Sequence, residues 1–122
     1  MDTTLREPTF LILTALAGGP LHGYAIIREV ATLSDGRLSL RPGTLYGALD
    51  RLTDTGLVDL DREEQVDGRL RRYYRLSPTG ESTLAAETER LRRNVEVATA
   101  RLRARSHAAR PATAPRTAGG LA

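Results

Sequence analysis

"RPGTLYGALDRL" (residues 41–52), followed closely by "LVDLDREEQVDGRLRRYYRL" (residues 57–76), decides the fold. In the first segment Leu45, Leu49 and Leu52 recur at i, i+4 and i+7, which is one apolar stripe on a helix. Pro42 has the fixed φ that suits a first helical position, and Gly56 is a good residue to close the helix. With Leu45 at the centre of the buried face, the opposite face carries Gly47, Asp50 and Asp54, flanked by Thr44, Tyr46 and Arg51. That face is small and hydroxyl-bearing at one end, which suits the close approach of a polyanion. Thr44 can donate to a phosphate or touch a thymine methyl, and Arg41 with the free N–H groups of the first turn suits a phosphate.

The second segment reads as a hairpin whose register decides its loop. Val58 and Leu60 on the first strand, and Tyr74 and Leu76 on the second, are the expected inward residues. A two-residue Asp67-Gly68 turn would pair Leu60 with Arg75 and turn Tyr74 to the wrong face. A three-residue loop, Val66-Asp67-Gly68, pairs Leu60 with Tyr74 and Val58 with Leu76, and puts Gly68 at the left-handed position such loops require. The three-residue loop is therefore expected. The second strand carries Arg69, Arg71, Arg72 and Arg75; Arg69 and Arg71 lie nearest the tip and are the best phosphate candidates, with Glu63, Glu64 and Asp67 opposite.

Outward from this centre, residues 5–17 form a helix that is apolar nearly all round (Phe10, Leu11, Ile12, Leu13, Leu16), which predicts burial on more than one side. A second helix over residues 21–33 shows Tyr24, Ile27, Val30 and Ala31 on one face. "LSL" (residues 38–40) is either a very short strand or extended chain. "SPTGE" starts the last helix, with Ser77 as N-cap and Pro78 at the first position. Along it Leu84, Thr88, Leu91, Val95, Ala98 and Leu102 follow a heptad spacing that suits contact with a second subunit. The expected fold is mostly α with a small β-hairpin: a winged helix-turn-helix domain over 5–76 and a long C-terminal dimerisation helix over 77–106. The Ala/Pro/Gly/Thr/Arg-rich tail over 107–122 has no periodicity and is expected to be disordered.

A chain of 122 residues suggests one domain with a small core, so burial against a second subunit would help it. There is no cysteine, no basic segment followed by an apolar one at the N-terminus, and no apolar run of membrane-spanning length. A cytoplasmic protein with no membrane contact is expected. The net charge is +3 with a pI near 9.9, and all 18 basic residues are arginine, a usage that reads first as genomic composition bias and second as a choice of forked donors that match phosphate. Histidine occurs only as His22 and His107, and no paired carboxylates, phosphate-cradling loop or metal-ligand spacing stands out. No enzyme activity, catalytic residue, metal or cofactor is expected.

The segments "GPLHGYAI" (residues 19–26), "GTLYGALDRLTDTGLV" (residues 43–58) and "RRYYRLSPTG" (residues 71–80) resemble, in order and spacing, the PadR family of winged-helix transcriptional regulators. The resemblance covers residues 5–106, and the single C-terminal helix is similar to the short-tailed subgroup. It implies a homodimer joined by that helix with help from the first. It also implies repressor action on double-stranded operator DNA of two-fold symmetry and, as in some members, release by a small-molecule effector. DNA contacts are implied at Tyr24, Thr44, Tyr46 and the wing arginines, and His22 is expected to hold the start of the second helix by hydrogen bonding.

With the residue-level reading, the DNA-binding set is Tyr24, Arg41, Thr44, Tyr46, Gly47, Arg51, Arg69 and Arg71. The dimer set is Phe10, Leu84, Leu91, Val95 and Leu102. Gly47 stands where the family usually has proline and Asp50 where a basic residue is common, which leaves the operator sequence open. A winged helix used only for protein contacts is the alternative; it would not need arginines at the wing tip or an open helix face.

Overall fold

The computed structural model describes residues 4–109, and two compact units divide the chain between Glu87 and Thr88. The elements in order are α1 (Glu7–Ala17), β1 (Leu21–His22), α2 (Gly23–Leu33), α3 (Pro42–Asp54), β2 (Val58–Val66), β3 (Arg69–Leu76) and α4 (Pro78–Ala109). In the first unit, Ile12, Leu13 and Leu16 of α1 meet Ile26 and Val30 of α2, Leu45, Ala48, Leu49 and Leu52 of α3, and Val58 and Tyr74 of the sheet. Each fully buried Leu or Ile contributes about 1.5–3 kcal/mol. The stripe read at Leu45, Leu49 and Leu52 is the buried face of α3. On α1, Phe10 and Leu11 remain half-buried, so this helix keeps apolar surface that its own core does not cover.

Ser34 organises the start of the α2–α3 connection. Buried Ser34 accepts from the Leu38 N–H at 3.0 Å and donates to the Ala31 carbonyl at 3.2 Å. Asp35 and Gly36 turn the chain there with φ of 54° and 81°. Residues 38–40 are extended chain rather than a strand; Leu38 and Leu40 pack against the core. Arg37 makes a two-pronged pair with Glu7, at 3.2 and 2.5 Å, tying this loop to the start of α1.

The sheet corrects the expected hairpin in two ways. It has three antiparallel strands in the order β1-β3-β2, because Leu21 and His22 pair with Tyr74 and Tyr73 instead of opening α2. The loop is the two-residue Asp67-Gly68 turn, since Val66 pairs with Arg69, and both turn residues have positive φ (51° and 75°). Yet Val58 still faces Leu76 and Leu60 still faces Tyr74. A bulge between Leu60 and Arg62 supplies the extra residue, Asp61, that the three-residue loop was expected to supply. Leu60, expected inward, is 45% exposed.

The start of α4 is built by "SPTG". Ser77 Oγ donates to the Gly56 carbonyl at 2.5 Å and accepts from the Gly80 N–H at 2.9 Å, while the Ser77 N–H reaches the Leu57 carbonyl at 3.1 Å. Gly80 is buried against that same carbonyl group, where an added Cβ would lie 2.9 Å from its carbon and closer still to its oxygen. Leu84 then packs on the core, and buried Glu87 accepts from the Leu5 N–H at 3.2 Å. In the second unit α4 carries an exposed apolar set, Val95 (62%), Val97 (61%) and Leu102 (66%), and Arg92 bridges Glu89 and Glu96. His107 to Ala109 are helical rather than part of a tail; the disorder expected beyond them falls outside the described residues.

Gly80→Ala is expected to destabilise the protein by about 1–3 kcal/mol through overpacking against a backbone that cannot move aside. Gly43→Ala, where a Cβ meets nothing within 4 Å, should be neutral or stabilising by up to ~1 kcal/mol. Urea titrations of the two variants check the contrast.

Candidate nucleic-acid interface

A cleft of about 710 Å³ opens between the start of α2, Tyr46 of α3 and the outer half of the hairpin. Its lining includes Tyr24 and Arg28 from α2 and Arg69, Leu70, Arg71 and Arg72 from β3. The start of α2 is fixed by His22, whose Nδ1 accepts from the Ala25 N–H at 3.4 Å and whose ring meets Tyr73 edge-on at 5.4 Å. This is the hydrogen-bonding role expected of His22. Gly23 leaves room for the Tyr46 ring in this position: a Cβ at Gly23 would fall on the Tyr46 hydroxyl and lie 2.8 Å from the ring carbon that bears it. So the Tyr46 hydroxyl rests on the first turn of α2, and the recognition-helix candidate α3 is locked to α2 at one point.

The hairpin's arginines divide by partner. Arg72 pairs with Glu63 at 2.9 Å. Arg75 reaches Asp59 and Asp61 at 3.5 and 3.4 Å. Arg62 pairs with Asp61 and Glu64 at 3.0 and 3.2 Å and lies 3.9 Å over the Tyr73 ring. The bulged Asp61 thus serves two arginines. These pairs are exposed and screened by solvent, so they balance charge more than they hold the sheet together. Arg69 and Arg71 form no ion pair within 4.0 Å among the described residues, and neither does Arg28 across the cleft. Arg28, Arg69 and Arg71 therefore line one cleft without an ion pair of their own, with Asp67 in the same wall and the Glu64 carboxylate acting on Arg71 through space.

Of the eight expected DNA-binding residues, the cleft brings together Tyr24 (62% exposed), Tyr46 (44% exposed), Arg69 and Arg71. Arg41, Thr44 and Arg51 stay outside it as exposed residues of α3 and its start, with Gly47 half-buried beside them. Arg41 is the N-cap residue; its guanidinium has no acceptor to offer, so no side chain caps the first-turn N–H groups of α3. Arg28 was missed by sequence reasoning; its i+4 spacing from Tyr24 was the available signal. Asp50 lines a separate hollow of about 350 Å³ with Thr53, Asp54, Leu60, Arg72 and Tyr74. Burial pushes the Tyr74 hydroxyl above its usual range, against the lowering effect of the nearby Arg72 guanidinium.

Three helices, a short edge strand, a hairpin wing and a following helix define a winged helix-turn-helix protein. Residues 12–86 match the transcriptional regulator PadR-like family, and the chain belongs to it. It is 39% identical over 98 residues to transcriptional regulator Rv3488 of Mycobacterium tuberculosis, covering 80% of this chain and 85% of that protein. It is 45% identical over 88 residues, 72% of its length, to an uncharacterized 37.1 kDa protein in transposon TN4556 of Streptomyces fradiae, but spans only 24% of that protein. Among solved structures, Bacillus subtilis PadR in complex with operator DNA superposes with a TM-score of 0.59 at 26% identity, over 66% of this chain and 46% of that one. No helix among the described residues is long and apolar enough to cross a membrane.

Two outcomes follow from the geometry. His22 has its pKa lowered below the usual 6.5, first by burial and then by Arg71 and Arg28. The folded state therefore binds fewer protons than the unfolded state just below pH 6.5, and the stability supplied by neutral His22 is lost as pH falls from there. His22→Asn keeps a capping acceptor without the titration, so its urea midpoint should vary less between pH 7 and 5 than that of the wild type. Gly23→Ala should displace the exposed Tyr46 ring from the first turn of α2 at a cost below about 1 kcal/mol, smaller than that of Gly80→Ala, and Tyr46→Ala in the same chain should remove that cost in a double-mutant cycle.

Proposed function

We propose that this regulator is a sequence-specific DNA-binding protein, acting in the cytoplasm as a homodimeric repressor on a two-fold symmetric operator. The observation that carries the reading is the convergence of unpaired Arg28, Arg69 and Arg71 on the cleft beside Tyr24 and Tyr46. The exposed Thr44, Arg41 and Arg51 of α3 stand clear for base and phosphate contact. The B. subtilis relative bound to operator DNA supports the same assignment. Homodimerisation is supported by the exposed Val95 and Leu102 on α4 and by half-buried Leu91 and Phe10; Leu84 already packs on the protein's own core and contributes less. Family membership extends the reading to release of DNA by a small-molecule effector.

The test is titration of the full chain into DNA from immediately upstream of its own gene, beside a shuffled duplex, at several salt concentrations. A preference of at least ~10³-fold is expected. Arg69→Ala with Arg71→Ala should weaken binding to both duplexes and reduce the salt slope by about two, one unit per lost phosphate contact. No binding to either duplex at low salt would overturn the reading and favour a protein-contact module.

A further inference from the structure

The chain's positive charge is not where the winged helix is. Up to Glu96 there are thirteen arginines against fifteen Asp and Glu residues, a balance of −2; beyond Glu96 there are five arginines and no Asp or Glu, a balance of +5. The whole excess behind the net +3 lies in the last 26 residues. Three of those arginines, Arg101, Arg103 and Arg105, are on α4 in the second unit and are exposed. None of them forms an ion pair within 4.0 Å among the described residues. Earlier on the same helix the pattern is the opposite, with Arg92 held between Glu89 and Glu96.

Complementing the helix dipole does not account for this. That effect is confined to the last turn, and Arg101 and Arg103 lie before it. Nor do the three point one way: at 100° per residue Arg101 and Arg105 share a face while Arg103 stands opposite. A duplex lying along one face would engage Arg101 and Arg105 directly, with Arg103 adding to the positive field around the helix end.

We propose that the basic end of α4 is a second, sequence-independent contact for double-stranded DNA, separate from the winged unit. Double-stranded DNA is favoured over other polyanions because the proposed function already holds a duplex on the same chain. A tethered cationic segment then meets that duplex at high effective concentration. The inference rests on that reading for its choice of polyanion, not for the charge itself.

The probe is a random-sequence duplex of about 40 bp, long enough to give a tethered contact free backbone and carrying no operator. Wild-type protein is compared with a variant carrying Arg101→Gln, Arg103→Gln and Arg105→Gln, and with one carrying lysine at the same three positions. The glutamine variant should bind more weakly, with the slope of log K against log salt reduced by about two to three, ~0.9 per phosphate released. The lysine variant should keep the wild-type slope. An unchanged slope in the glutamine variant would overturn the proposal, and so would a lysine variant that behaves like the glutamine one, because the arginines would then serve structure. Loss of binding to phosphatidylserine vesicles with duplex binding intact would overturn it in favour of a membrane surface. Preference for the upstream fragment over its shuffled control, measured on the same three proteins, reports separately on the winged unit. If it survives in the glutamine variant with an unchanged slope, the regulator reading stands and the α4 contact falls; if it is absent throughout while the slope drops, the reverse holds.

Discussion

The geometry of the wing depends on a conflict between two register rules and on the bulge that resolves it. Asp67 and Gly68, both at positive φ, form the two-residue turn whose twist matches a hairpin. That turn alone would pair Leu60 with Arg75. The core requires Leu60 opposite Tyr74 and Val58 opposite Leu76, because Val58 and Tyr74 are buried against the helices. The two demands differ by one residue, and in a strand one residue exchanges the faces. Asp61 takes up the difference. With it in place Val58 and Leu60 of β2 lie on the same face as Tyr74 and Leu76 of β3. Without it, either Tyr74 leaves the core or the turn loses its twist.

The same bulge orders the charges. Asp61 reaches both Arg62 and Arg75, and Glu63 takes Arg72, so the arginines nearest the core are neutralised by their own sheet. The two at the tip are not. Free cations are thus concentrated where the hairpin meets the start of α2, and the neighbouring glycines make that meeting close. Gly23 admits the Tyr46 hydroxyl onto the first turn of α2, and His22 in its neutral form caps that turn.

Most of the helical frame was legible in the sequence because its signals are local. Pro42 with Leu45, Leu49 and Leu52 defines α3 without reference to the rest of the chain, and Ser77-Pro78 marks the start of α4. Arg69 and Arg71 were legible as the tip arginines, and the structure leaves both unpaired. What could not be read was non-local. β1 is two residues long and has no period of its own; it exists because β3 offers an edge to it. The bulge satisfies a turn and a core at once, and inspecting the loop alone assigns the extra residue to Val66. The Glu7–Arg37 pair joins residues 30 apart, and Arg28 becomes a cleft residue only when the wing arrives across from it.

Charge separation along the chain has a consequence for recognition. Non-specific attraction to a duplex adds equally to every sequence, so it raises affinity without improving discrimination. A reading surface crowded with cations would gain mainly in that common part. Here the winged portion is nearly charge-balanced, and Asp50 and Asp54 sit on α3 itself. On the proposed reading, discrimination falls to the geometry of α3 and the cleft, while Arg101, Arg103 and Arg105 supply attraction that no base sequence alters.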